Sequence, residues 1–229
     1  MNLVELGVNF FVALFALIDP IGNVPIFAAA TAGATAAQRR TVAAYIALFI
    51  TGFLLFFYFT GLALLEFFGI SIAAFRIAGG VLLFLLGLDM TRSDFLTTFA
   101  DPDAGQAGTD VRGYARRRFE RLIVPFAMPL LIGPGAISAV IIQASEAQRL
   151  GPGGTTAGLL AILAIGVATL VSFLLTGPIS RALGNIGMAI VVRVLGLVLC
   201  ALAVQFIIAG LGEATHGFIS SAVARPYAH

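Results

Sequence analysis

Six apolar runs, separated by short polar stretches, organise this chain, with approximate limits 5–31, 42–65, 70–90, 122–145, 156–177 and 187–211. A helix needs about 20 mostly apolar residues to cross a bilayer, so the pattern predicts six membrane helices. Two of the runs are interrupted. The first contains Leu17-Ile18-Asp19-Pro20-Ile21-Gly22-Asn23-Val24-Pro25, and the fourth contains Leu131-Ile132-Gly133-Pro134-Gly135-Ala136-Ile137-Ser138. Proline and glycine at these points free backbone groups that lipid cannot satisfy. Such breaks are tolerated at depth only where they are buried in protein or face a watery cavity.

The interruptions recur at matching places. Pro134 follows Pro20 by 114 positions, and Arg193 in the sixth run follows Arg76 in the third by 117. This reads as two copies of a three-helix unit. Because three is odd, the second copy must insert upside down relative to the first. Inverted repeats with discontinuous helices are the sequence signature of secondary transporters, whose solute sites lie at the repeat interface. The expected architecture is therefore an all-α membrane protein of six transmembrane helices in two inverted three-helix repeats, the first and fourth helices broken. The first repeat covers 1–90, a linker loop 91–121, and the second repeat 122–229.

Composition agrees: 60% of the residues are hydrophobic and 10% charged, with mean hydropathy +1.05, where soluble domains run nearer a quarter charged. All 13 basic residues are arginine. Arg39, Arg40, Arg92, Arg112, Arg116, Arg117, Arg118, Arg121 and Arg181 fall on one side of the predicted topology, and Arg149 and Arg225 on the other. The positive-inside bias then puts both termini outside the cytoplasm. Ala28-Ala29-Ala30 could supply a signal-peptide cleavage site, but no basic residue precedes the run, so retention as the first membrane helix is expected. The lone Cys200 lies in an apolar run and reads as packing. His216 and His229 lie outside the strong apolar runs. The linker carries Asp94, Asp101, Asp103 and Asp110 before Arg116-Arg117-Arg118. It reads as a solvated connection with an orientation signal, in preference to a lipid-docking or regulatory element.

Asp19 carries the strongest chemical signal, since a mid-membrane carboxylate usually has a partner or a role. Asp19-Pro20 also suits the N-cap and first turn of a restarting half-helix, whose free N–H groups would attract a carboxylate. Asp19 could then satisfy the restart, meet a substrate amine or carry a coupling proton. Asn23 and Ser138 add neutral polar groups. Gly22, Gly133 and Gly135 allow close backbone approach, whereas Gly79, Gly80 and Gly196 read as tight helix crossings. Arg76 and Arg193 are read as structural or snorkelling charges, with gating or carboxylate anchoring the functional alternative. Gln143, Gln205, Thr169 and Ser172 read as helix-joining groups. No HExxH, Walker A or GxSxG pattern occurs, and an aspartyl hydrolase built on Asp19 and Asp89 lacks the second glycine of its motif, so no enzymatic activity is expected.

The segments Asp19-Pro20-Ile21-Gly22-Asn23-Val24-Pro25-Ile26-Phe27 and Pro129-Leu130-Leu131-Ile132-Gly133-Pro134-Gly135-Ala136-Ile137-Ser138 together resemble the MarC family (UPF0056). The likeness extends to Phe75-Arg76-Ile77-Ala78-Gly79-Gly80 and Arg193-Val194-Leu195-Gly196-Leu197, and so to nearly the whole chain. The resemblance implies a multi-pass inner-membrane protein of the LysE-like superfamily. Among similar proteins the best supported activity is SnatA-type transport of small neutral amino acids such as glycine, alanine and threonine. It places Asp19, Pro20, Gly22, Asn23, Pro25, Gly133, Pro134, Gly135 and Ser138 in the site lining. The expected partners are a small zwitterionic amino acid and the lipid bilayer, with no nucleic acid. No cofactor is expected beyond coupling to H+ or Na+, and homo-oligomerisation is left open. The alternatives are a non-transporting membrane partner or sensor, and a drug-efflux transporter.

Overall fold

The computed structural model describes residues 2–92, 95–101 and 110–215, and every regular element in them is helical. His216, His229, Arg225, Asp94 and Asp103 lie outside the described residues. The helices are α1 (Leu3–Ile18), α2 (Val24–Ala30), α3 (Ala36–Phe67), α4 (Ile72–Met90), the single turn α5 (Phe95–Thr98) and α6 (Val111–Leu122). They continue, after a distorted stretch Ile123–Leu131, as α7 (Pro134–Arg149), α8 (Gly151–Leu174) and α9 (Thr176–Ala214). Among the described residues four helices are long and apolar enough to cross a membrane: Ala36–Phe67, Ile72–Met90, Gly151–Leu174 and Ile186–Ala214.

The starts of the helices are written locally. Asn2 and Glu5 form a capping box for α1, and Thr35 and Gln38 form one for α3, each satisfying two orphan N–H groups. Ser71 caps α4 through the Ala74 N–H at 3.1 Å. Gly184, at φ 61° and ψ −178°, bends α9, in a region of backbone space open essentially to glycine alone. The chain from Thr176 to Leu183 thereby forms a separate short arm before the long apolar helix begins.

Both predicted breaks exist, and each differs from the simple expectation. The first is a compact turn between α1 and α2. The second is longer, with extended backbone at Val124 and Met128 before α7 restarts at Pro134. Pro125 and Pro129 each lack a backbone N–H, so regular i→i−4 bonding cannot run through this stretch. The linker is also more than a solvated loop, because α6 occupies its second half and packs against α3.

α4 and α9 run antiparallel in close contact, with α7 on α4 and α2 on α9. Glycine makes these approaches possible. A Cβ added at Gly80 would lie 2.8 Å from the Ala203 carbonyl oxygen. One at Gly87 would lie 2.8 Å from the Gly196 oxygen, and one at Gly196 2.7 Å from the Gly87 oxygen. The expected tight crossings at Gly79, Gly80 and Gly196 are thus present. Gly79 is the most constrained, since an added Cβ would sit 2.3 Å from Cβ of Pro134, whose ring cannot rotate away. Gly79→Ala is expected to destabilise the protein by about 1–3 kcal/mol, the usual penalty of overpacking. Thermal unfolding followed through the thiol reactivity of Cys200, the chain's one cysteine, measures it; an unchanged midpoint would contradict this packing.

The broken segments also meet through rings. Phe27 of α2 stacks on Phe173 of α8, with centroids 4.4 Å apart and planes 4° from parallel. Phe126 from the second break lies 6.4 Å from Phe27. All three are fully buried, and such pairs add about 0.5–1.5 kcal/mol beyond their packing.

Candidate functional site

The first break is held by its own side chains. Asp19 closes α1 in the left-handed conformation (φ 43°, ψ 64°), its N–H bonded to the Phe15 carbonyl. Its Oδ1 accepts the Gly22 N–H at 3.1 Å. The expected N-cap role is therefore corrected: Asp19 ends one helix and braces the turn, and α2 restarts at Val24 with Asn23 in the capping position. Short polar residues such as Asp enter left-handed backbone at low penalty, because the side chain can bond locally. Gly22 is required beside it, since a Cβ there would fall 2.1 Å from Asp19 Oδ2 and 2.7 Å from a Leu195 methyl.

Asn23, 5% exposed, stitches the two half-helices together. Its Nδ2 donates to the carbonyls of Ile18 and Asp19, both at 3.0 Å, two of the orphan acceptors that every helix end leaves. Its Oδ1 is buried with no hydrogen-bond partner. A buried acceptor in that state loses about 1–3 kcal/mol relative to a satisfied one, so its persistence calls for a physical reason.

Asp19 and Asn23 line a cavity of about 40 Å³, closed by Ala16, Leu17, Met90, Leu130, Leu195, Val198, Leu199 and Leu202. It has room for a few water molecules and falls short of an amino acid. Its polar groups are acceptors, which suits a cation or an ammonium group. The N–H groups of Gly22, Asn23 and Val24 are already engaged by Asp19 Oδ1, Asp19 O and Ile21 O, and Pro25 has none. Pro20 and Pro25 are buried against the turn, and Pro25 faces the vestibule described below.

The second break lies elsewhere along the same helix pair. Pro134 sits on Gly79, and Gly135 faces Phe206 and Leu83. Phe206 is one turn of α9, about 6 Å, beyond Leu202 of the cavity wall. Gly133 precedes α7 with extended backbone, and no side chain caps this buried helix start. Ser138, 1% exposed, has a buried Oγ with no partner. The structure thus brings Asp19 and Asn23 into one cavity and leaves Gly133, Pro134, Gly135 and Ser138 outside its lining.

Arg76 and Arg193 occupy opposite ends of the α4–α9 pair. Arg76 is ion-paired with Glu213 near the end of α9. Arg193 is exposed and borders a narrow gap with Met90, Arg92, Leu96 and Val192. Thr169 and Ser172 bond back to carbonyls of their own helix at 2.8 and 2.9 Å. That narrow gap adjoins the Asn23 cavity at Met90 and a much wider vestibule at Leu96. The vestibule, of about 740 Å³, is lined by the small residues of α2 and by Arg39, Thr176, Ser180, Arg181 and Met188.

Sequence reasoning missed one further cluster. Arg118, 5% exposed, donates from Nε to the Ala30 carbonyl, the last of α2, at 2.6 Å, and from Nη2 to the Phe99 carbonyl. Its Nη1 lies 3.9 Å from Asp101, which also accepts the Tyr114 hydroxyl. The helical phase of Tyr114, Ala115, Arg118 and Leu122, all buried, was the available signal.

Comparison with known proteins covers the whole of this architecture. The family model described as MarC family integral membrane protein matches residues 4–215. A UPF0056 membrane protein of Archaeoglobus fulgidus is 35% identical over 218 residues, covering 89% of this chain and 91% of that protein. One from Methanocaldococcus jannaschii is 33% identical over 201 residues, 88% and 93% of the two chains. The UPF0056 membrane protein YvbG of Bacillus subtilis is 31% identical over 204 residues, 89% and 93% of the two chains. No solved structure matches.

Proposed function

The chain belongs to the MarC family of integral membrane proteins, and from that premise we propose that it is a secondary transporter of small neutral amino acids such as alanine, glycine and threonine. The observation that carries this reading is the unpaired, buried Asn23 Oδ1 beside the Asp19 carboxylate, in a small cavity at a helix break. Two acceptors side by side suit the ammonium of a zwitterion. The uncapped start of α7, with Gly133, Gly135 and the Ser138 hydroxyl, suits its carboxylate, and lies about one helical turn away along α9.

The proposed architecture is six spans in two inverted repeats, α1–α2, α3 and α4 forming the first and the Ile123–Leu131 stretch with α7, α8 and the long arm of α9 the second. Exchange of partners supports it: α4 packs on α7 as α9 packs on α2, and Arg76 and Arg193 fall at opposite ends of the central pair. With the arginine-rich side in the cytoplasm, both termini are periplasmic in a bacterial inner membrane and the vestibule faces the cytoplasm. Transport is alternating access: a cavity of about 40 Å³ must open to admit an amino acid, and rocking one repeat against the other opens it to one side at a time. H+ or Na+ supplies the coupling.

Counterflow of labelled alanine, glycine and threonine in proteoliposomes tests the reading, with Asp19→Asn alongside. The asparagine keeps an acceptor for the Gly22 N–H and loses the charge. Exchange is expected to fall about tenfold, the loss of one charge-assisted contact. Saturable exchange in neither protein, both folded, overturns the amino-acid assignment. Unaltered exchange and pH dependence in the variant removes Asp19 from the coupling step.

A further inference from the structure

The vestibule has a charge pattern that the break does not account for. Two guanidinium groups from distant parts of the chain converge on Gly177. Nη1 of Arg39, near the start of α3, lies 3.8 Å from where a Gly177 side chain would begin. Arg181, one turn further along the short arm, donates from Nε to the Gly177 carbonyl at 3.3 Å. Both line the same space of about 740 Å³, with the hydroxyl-bearing Thr176 and Ser180 between them.

No acidic side chain lines this space among the described residues. Asp101, the buried carboxylate of the neighbouring cluster, is already engaged by Arg118 and Tyr114. Arg39 is also badly placed for its own helix, because a cation near a helix N-terminus opposes the macrodipole. Its Nε is buried without a hydrogen bond. A partly buried cation at the positive end of a helix, with a donor unsatisfied and a second arginine beside it, is a disfavoured arrangement in isolation. An anion between the two guanidinium groups offsets the repulsion between them and the opposition to the helix dipole, since paired arginines bind planar oxyanions through parallel N–H bonds.

We propose that Arg39 and Arg181 form a carboxylate-binding antechamber at the mouth of the transport route, which holds a solute by its carboxylate before its ammonium reaches Asp19 and Asn23. The chemistry recognised is that of a compact oxyanion, and the source is the carboxylate of the transported amino acid. This rests on the transport reading for the identity of the solute; the oxyanion site itself does not depend on it.

Two measurements separate the parts. The first is arginine modification by phenylglyoxal in the purified full chain, read residue by residue by mass spectrometry, with acetate, glycine, glycinamide or inorganic phosphate as competitor. Acetate and glycine should protect Arg39 and Arg181 several-fold, glycinamide should not, and the exposed Arg112 and Arg149 should be unaffected. No protection by any oxyanion overturns the site; protection by phosphate alone overturns the carboxylate assignment and points to a phosphate source such as a lipid headgroup. The second is exchange kinetics of Arg39→Gln. Half-saturation from the vestibule side should rise about tenfold, as expected for loss of one charge-assisted pair, with the maximal rate unchanged. Wild-type exchange with an unmoved half-saturation in the variant overturns the antechamber. Absence of exchange in the wild type overturns the transport reading instead and leaves the labelling result to decide the site.

Discussion

Arg118→Met is expected to lower the unfolding free energy by about 3–5 kcal/mol, the range for breaking a buried ion pair by removing one partner. The guanidinium ties α6 to two other segments: the end of α2 through the Ala30 carbonyl, and the 99–101 stretch through the Phe99 carbonyl and the Asp101 carboxylate. Methionine fills similar volume but leaves two carbonyls and a carboxylate buried with fewer partners. The Tyr114 phenol, held above its ordinary pKa range first by burial and then by its bond to Asp101, stays protonated and remains one donor to that carboxylate. Arg118→Lys should recover little, because an ammonium is a single point of donation and cannot span the three acceptors. Adding Asp101→Asn to Arg118→Met should restore part of the loss by removing the stranded charge, a coupling that a double-mutant cycle isolates. The thiol of Cys200, half-buried on α9 with Sγ 3.7 Å from the Phe84 carbonyl, reports the unfolding in detergent. A midpoint shift of Arg118→Met no larger than that of Arg117→Met, a change at an exposed neighbour, would show that the cluster is not structural.

Arg118 also shows where the sequence stops being readable. Three consecutive arginines look alike as letters and read together as part of a solvated linker. Only helical phase distinguishes the one that turns inward with Tyr114 and Leu122 from two that remain exposed, and phase is usable only once α6 is recognised as a helix. The breaks were visible because proline and glycine inside an apolar run free backbone groups that must be shielded from lipid. Their geometry was less so. The sign of φ at Asp19 is a backbone choice that the letters D-P do not fix, and the N-cap reading assigned the residue to the wrong helix end. The length of the second break was signalled by Pro125 and Pro129, four positions apart, each withdrawing a donor. The Arg76–Glu213 pair joins positions 137 apart in sequence, beyond the reach of local pattern. The glycine crossings were legible because a run of large apolar residues has little other use for glycine.

Asn23→Ala is expected to abolish exchange by more than about a hundredfold, the largest functional effect of any single change in the cavity. The alanine removes the unpaired Oδ1 acceptor and the two donors that hold the carbonyls of Ile18 and Asp19. Losing contact to a charged group is worth about 1.5–3 kcal/mol, one to two orders of magnitude in rate. Loosening of the turn then displaces Asp19 and multiplies that loss. The same substitution leaves the buried Ile18 carbonyl unsatisfied, at about 1–3 kcal/mol, while the Asp19 carbonyl keeps the backbone N–H of residue 23, so stability must be followed in parallel. Two further observations separate a missing ligand contact from a damaged fold. Saturating alanine should raise the unfolding midpoint of the wild-type protein, since a ligand bound only by the folded state stabilises it by mass action, and should leave that of Asn23→Ala unmoved. Asn23→Asp keeps the size and the acceptors but turns an oxygen toward the two carbonyls in place of the amide donors. It should therefore lose stability more than Asn23→Ala while still failing to exchange. Wild-type exchange in a folded Asn23→Ala protein would remove the first break from the solute site. The breaker residues would then read as a device for bending membrane helices, and the transport route would have to be sought along the second break at Gly133 and Ser138.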